Sequence, residues 1–186
     1  MSVQPFNPAN AFRFDLGRGQ ISTPGAGPRL LLPVDSVGHL LGNLGDEARR
    51  DFGHSLGTEL GRRAAERLGD VGHASPNDVV DHLGGEWALM GLGSLGIELW
   101  GKALVFTVTG SPFGANGDDF IAAVAQGAVG RAMGRHAVVI PIHRDGDQVR
   151  LLAASMRASE RARELLGQGR GYGEILEDLN RSTETL

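Results

Sequence analysis

The sequence predicts an α+β protein: a four-stranded antiparallel sheet, made of two hairpins separated by a buried helix and covered by several helices. Three observations carry this prediction. Apolar residues recur at helical spacing through the first half, from Val37 to Leu68. Two stretches in the second half, "LGIELW" to "ALVFTVT" and "HAVVIPI" to "VRLLAAS", read as strand pairs around glycine-bearing turns. Between them runs "ANGDDFIAAVAQGAVGRAMG", apolar around most of a helix circumference and therefore expected to be buried.

Taken in order, "FRFDLGRGQIST" and "RLLLP" read as short strands joined by the turn-rich "TPGAGP". Beyond Pro33, Val37, Leu40, Leu41 and Leu44 have helical spacing, with Asp35 or Ser36 as candidate N-cap. Residues 46–68 give the clearest helix: Ala48, Phe52, Leu56, Leu60, Ala64 and Leu68 recur every fourth residue, with charged residues opposite. A further helix is expected from about Pro76 to Met90, where Ser75 can cap and Pro76 suits the first helical position. Gly101-Lys102 suits a type II′ hairpin turn and Asp145-Gly146 marks the second hairpin. "RASERARELL" closes the domain as a helix. The expected organisation is an N-terminal β element at 1–34, an α+β domain at 35–166, and a flexible glycine-rich linker with a short amphipathic tail at 167–186.

Composition removes several function classes. The 186 residues carry a net charge of -4, with basic residues dispersed among acids, so no nucleic-acid footprint is expected. Zero cysteines exclude disulfides, thiol catalysis and thiolate metal sites. The longest apolar runs are far shorter than the roughly 18 residues of a membrane span. "MSVQPFNPAN" has neither the basic start nor the apolar core of a signal peptide, so a cytoplasmic location is expected.

Glycine, at 29 residues, is more than twice its usual share of roughly 7%, which makes glycine motifs cheap. Gly53-His54-Ser55-Leu56-Gly57 fits the nucleophile elbow G-x-S-x-G. That motif needs a strand feeding a strained turn, whereas "GDEARRDF" upstream of Ser55 is a charged helical run. "GLGSLG" at 91–96 fits a dinucleotide fingerprint, but it follows a helix and opens a strand, the reverse of the required order. The reading left for Gly53, Gly57 and Gly61 is close helix packing, beside Phe52, Leu56 and Leu60. The partner is either the helix carrying Gly127, Gly130 and Gly134 or the same helix in a second copy.

The six histidines show no metal spacing, and His136 and His143 are expected on opposite faces of the strand they bracket. Trp87, Met90, Trp100, Phe106 and Phe113 concentrate around the first hairpin, marking either core or a ligand cavity lined by Trp87, Met90, Trp100 and Phe106. Glu86 and Glu98 are candidate acids, without a readable second carboxylate.

The order of elements and the phrases "LLGNLGDEARRDFGHSLGTELGRRAAERL", "WALMGLGSLGIEL", "DDFIAAVAQGAVGRAMGR" and "QVRLLAASMRASERARELL" resemble the 4-vinyl-reductase-type (4VR) domain family. That family shares a superfamily with Bet-type components of the transport protein particle (TRAPP) and haem nitric-oxide-binding domains. The resemblance spans roughly residues 30–166. It implies a module that binds small, often hydrophobic ligands or assembles as a dimer, rather than an enzyme. Many members carry metal-binding cysteines near the second hairpin, where this chain has Asp145, Gly146, Asp147, Val149 and Arg150. No metal or cofactor is therefore expected. The expected function is a non-catalytic homodimeric interaction or scaffold module that binds itself and another protein. The alternatives are a sensor for a small hydrophobic ligand and, more remotely, a serine hydrolase using Ser55.

Overall fold

The computed structural model describes residues 6–8, 11–24, 27–69, 76–101, 103–134 and 136–181. A small antiparallel sheet comes first: β1 (Arg13–Asp15), β2 (Gln20–Ser22) and β3 (Pro28–Arg29). The expected strand "RLLLP" stops at Arg29, and Leu30, Leu31 and Leu32 are 83%, 65% and 61% exposed. Leu30, Leu31 and Leu32 instead carry the chain from β3 to α1, which opens directly after Pro33.

Three helices follow: α1 (Val34–Asn43), α2 (Asp46–Leu68) and α3 (Pro76–Leu89). Pro33 stands at the N-cap of α1, so neither Asp35 nor Ser36 caps it. Ser75 lies outside the described residues, as does Lys102 of the first hairpin turn. The α1 carbonyls are closed at the other end by Arg49, whose Nε and Nη2 donate to Leu41 O and Leu44 O at 3.1 and 3.0 Å.

The second sheet pairs β4 (Ser94–Trp100) with β5 (Ala103–Thr109), and β6 (Val138–Asp145) with β7 (Gln148–Ala154). The hairpins join through their second strands, giving the order β4-β5-β7-β6, antiparallel throughout. Gly101 (φ 63°) and Gly146 (φ 56°) sit at the hairpin turns in left-handed backbone that a side chain rarely adopts. Between the hairpins, α4 (Asp118–Met133) is buried along most of its length, as its unbroken apolar circumference requires. Arg144, near the end of β6, grips the Asp118 carboxylate and donates to Gly114 O at 3.3 Å, fixing the start of α4.

Both faces of the sheet are covered, which explains why β7 reads as a nearly unbroken apolar run. Phe106, Val108, Val149 and Leu151 face α2, α3 and α4 in one core. Val105, Ile140, Ile142 and Leu152 face a second core closed by α5 (Met156–Gly167) and α6 (Tyr172–Arg181). The amphipathic tail expected after the glycine-rich stretch docks as α6: Ile175, Leu176 and Leu179 are all buried at 1% exposure or less. Their i, i+1, i+4 spacing gives α6 an apolar stripe that the sheet would otherwise expose to water. The segment 167–171 is tied down too, with Gly169 N and Arg170 N donating to Leu166 O and Leu165 O at 2.9 and 3.1 Å.

Candidate functional site

The α2–α4 seam accounts for the glycine row. A methyl group at Gly57 would stand 1.9 Å from Val124 O, one at Gly61 2.2 Å from Ala128 O, and one at Gly127 2.1 Å from His54 O. At Gly53 the nearest approach, to Phe120 O, is 3.0 Å. Backbone meets backbone along this seam, so of the two partners the sequence allowed, α4 of the same chain takes the glycine face. As a surface for a second copy, Gly53, Gly57 and Gly61 are therefore already occupied. Leu60 is buried and Leu56 packs against the first core, while Phe52 stays 41% exposed and stacks on Phe120 with centroids 5.9 Å apart.

The apolar row of α2 also behaves differently from its sequence reading. Ala48 is exposed, whereas Leu60, Ala64 and Leu68 are buried. Steps of four residues overshoot a helical turn by about 40° each, so such a row winds around the helix and cannot share one face over its length. Ser55 lies exposed in the middle of α2, with no strand before it. That is not the bent strand-to-helix junction that an elbow nucleophile requires.

The four residues expected to line a cavity are not brought together. Trp87 and Phe106 meet in the first core, where the Trp87 indole N–H donates to Leu92 O at 3.1 Å. Met90 and Trp100 are 37% and 41% exposed. The reason is strand alternation: Trp100 pairs with Ala103, which faces the second core, while Phe106 faces the first. Trp100 instead belongs to a cluster that seats α6. Its indole N–H donates to Glu98 Oε2 at 3.0 Å, and its ring meets Tyr172 edge-on at 6.0 Å. His143 stacks on the same Tyr172 ring at 4.6 Å, and the Arg150 guanidinium lies 5.1 Å from its centroid. Glu98, one of the two candidate acids, is paired there with Arg150 at 3.4 Å.

The other candidate acid, Glu86, is 1% exposed between α2 and α3. Arg67 Nε donates to its Oε1 at 2.7 Å. Arg63 Nε stands 2.6 Å from Oε2 as an ion pair without hydrogen-bond alignment. Buried His82 sits one helical turn before Glu86 on α3. Two arginines around one carboxylate make a buried ion-pair cluster that sequence spacing did not reveal.

A cleft of about 470 Å³ opens between α1, the β5–α4 connection and the first turn of α4. Its apolar wall is Val34, Leu41, Phe113 and Phe120; Asp35, Arg49 and Asn116 supply polar groups. Phe113 and Phe120 meet edge to face at 5.4 Å, and of the two Phe113 is the more exposed, because Phe120 is buried beneath Phe52. Gly38 and Gly42 line the cleft from α1, and a methyl group on either would meet nothing within 4 Å. The volume lies within the roughly 300–1,000 Å³ of small-molecule sites, and the wall is about as polar as it is apolar. Among the described residues no group of three or more His, Asp or Glu is placed to hold a metal ion. None of the described helices is long and apolar enough to cross a membrane.

Among solved structures the chain is similar to the phenol-responsive sensory domain of the transcription activator PoxR, crystallised with phenol. The TM-score is 0.61 at 18% identity, over 86% of this chain and 92% of that one. At that identity the likeness is one of fold. No protein-family model matches the chain, and no curated protein matches its sequence.

Proposed function

We propose that this chain is a ligand-binding sensory domain of the 4VR type, taking a small, mainly apolar molecule in the cleft beneath α1. The observation that carries the reading is that cleft: enclosed by a helix on one side, floored by Phe113 and Phe120, and edged by Asp35 and Asn116. A single aromatic ring with one hydroxyl suits it, the ring against the two phenylalanines and the hydroxyl towards Asp35. A neighbour of similar fold is described as responsive to phenol, which supports the choice of probe. α1 is the natural moving part, because Leu41 is its one buried side chain. An occupant would pin α1 against α4, and a change in α1 is a signal that a neighbouring protein can read. No catalytic step is required of this site.

Phenol is the probe for the test. It should raise the melting temperature of the native protein, and Gly42→Leu should abolish that rise by filling the cleft from open space. A shift of equal size in both proteins would end the reading, as would no shift with phenol or any related monocyclic aromatic.

A second reading, a homodimeric interaction module, has an observation of its own. Leu30, Leu31, Leu32, Val34 and Leu40 present apolar side chains that are 46–83% exposed on and just before α1. Contiguous exposed apolar surface is a mark of association. Sedimentation of the native chain against a variant with Leu31 and Leu40 changed to Glu distinguishes the cases. A dimer lost in the variant supports pairing of copies through α1, and a monomer at every reachable concentration opposes it.

A further inference from the structure

Two side chains of opposite charge line the cleft beneath α1 without meeting each other. Asp35 comes from the first turn of α1 and Arg49 from the start of α2. Among the described residues the Asp35 carboxylate has no hydrogen-bond or ion-pair partner.

Arg49 already has a second task. Its Nε and Nη2 donate to Leu41 O and Leu44 O, at the C-terminal end of α1. α1 has no basic residue in its own last turn, so Arg49 supplies from α2 the positive charge that such an end favours. A ten-residue helix with one buried side chain is marginal by itself, and the order of its last turn depends on that grip. The remaining nitrogen, Nη1, makes a 3.6 Å ion pair with the exposed Asp46 carboxylate, too long for a hydrogen bond. The guanidinium therefore keeps N–H donors to spare. The cleft thus offers one acceptor without a donor and one donor with capacity left. A charged ligand of either sign meets a like charge there, whereas a neutral hydroxyl can donate to the first group and accept from the second.

We propose, resting on the reading of the cleft as a ligand site, that Asp35 and Arg49 together select a ring bearing a neutral hydroxyl, and that Arg49 is the positioning residue that passes occupancy to the turn between α1 and α2. The hydroxyl donates to Asp35 and its oxygen accepts from Arg49. A guanidinium anchored by the occupant holds Leu41 O and Leu44 O more firmly. Asn43 and Leu44, which do not line the cleft, are ordered through it. A ring without a hydroxyl leaves the turn as it was. That turn is exposed at Asn43 and Gly45, where a neighbouring protein can read it.

Hydrogen exchange of the full chain, read at the Asn43 and Leu44 amides, tests this with phenol and toluene. Saturating phenol should slow exchange there about tenfold, the worth of one hydrogen bond to a charged group. Toluene, whether or not it binds, should leave the rates within about twofold. Arg49→Met keeps an unbranched stem and removes the donors. It should bind phenol more weakly and, once saturated, show one exchange rate at both amides with and without phenol. Arg49→Lys, whose single nitrogen reaches one carbonyl, should respond in between, and it serves if the methionine variant folds or binds too poorly. Benzoate and benzylammonium should each bind at least about fivefold more weakly than phenol. Equal slowing by phenol and toluene would overturn the proposal, as would a methionine variant that responds like the native protein. Either ion bound as tightly as phenol would do the same. A phenol-induced rise in melting temperature with no change at the turn overturns this proposal alone, whereas no rise at all removes the ligand reading of the cleft with it.

Discussion

Helix α2 is held on its two flanks by opposite means. Towards α4 it presents Gly53, Gly57 and Gly61, and the two backbones touch without intervening side chains. Towards α3 it presents Arg63 and Arg67, which reach the buried carboxylate of Glu86. The first contact depends on shape and tolerates no added atom. The second depends on charge and tolerates small displacements, because long side chains adjust. The contrast teaches that one helix can be locked rigidly on one side and adjustably on the other, with α3 the neighbour freer to shift.

The largest effect should come from closing the gap in the first contact. Gly57→Ala puts a methyl group 1.9 Å from Val124 O, and both helices must part to admit it. A loss of about 3 kcal/mol is expected, or a melting temperature lower by roughly 10 °C. Gly42→Ala on α1, with nothing within 4 Å, should instead gain a few tenths of a kcal/mol, about what helix propensity gives. Calorimetric melting of the two variants side by side checks the difference in sign. If both variants melt alike, the two backbones do not meet closely along the seam.

Next in size is the charged flank. Glu86→Gln leaves Arg63 facing a neutral partner at a site where both groups are almost wholly buried. Removing one partner of a buried pair costs about 3–5 kcal/mol in general. Here about 2 kcal/mol is expected, because the Arg67 side chain is 33% exposed and can turn to water. Denaturant unfolding measures it. Hydrogen exchange should show α3 loosened more than α4; the reverse order would contradict the assignment of the two flanks.

The smallest effect belongs to the outer surface of α2. Glu59 accepts from Arg62 at 2.8 Å and from Arg29 of β3 at 3.0 Å, tying the small N-terminal sheet to the helix. The Arg62 hydrogen bond, against the opposing effect of burial and with help from Arg29, lowers the Glu59 pKa from 4.5 to about 2. The folded value lies below the unfolded one. Its contribution is therefore full above pH 4.5 and lost as the pH falls towards about 2. The pair is partly exposed, so no more than about 1 kcal/mol is expected. Glu59→Gln should be the less stable protein near neutrality and equal to native at the acid end. A stability difference independent of pH would remove the ionic explanation.

The sequence made the fold legible where local pattern and tertiary burial agree. The Asp145-Gly146 turn and the all-apolar α4 each follow from residues whose local pattern matches their environment, and the extent of the helix at 46–68 was legible although its buried face was not. It was misleading where geometry accumulates over distance. The row from Ala48 to Leu68 looks like one stripe until the winding of the helix carries its early members into solvent. Local alternation also fails at β6, where the register shifts between Pro141 and His143. That irregularity sets His143 opposite Arg150 and against Tyr172, a neighbour no counting of residues would give it. The aromatic concentration around the first hairpin was real, but nearness along the chain does not say which face of a strand a ring takes. Of the candidate site, Phe113 was noted beforehand and the cleft itself was not. Its walls come from α1 and from the connection before α4, some 70 residues apart in the chain.

The order of the larger sheet has one more consequence. Of its two outermost strands, β6 carries Pro141 and an irregular register, features that spoil a straight row of backbone donors. The opposite border, β4, has no proline and an unbroken register with β5. If two copies paired border to border, β4 against β4 would use up the regular border of each. Strand-to-strand growth of this molecule is thereby limited to closed pairs, and open-ended fibres are disfavoured by its own topology.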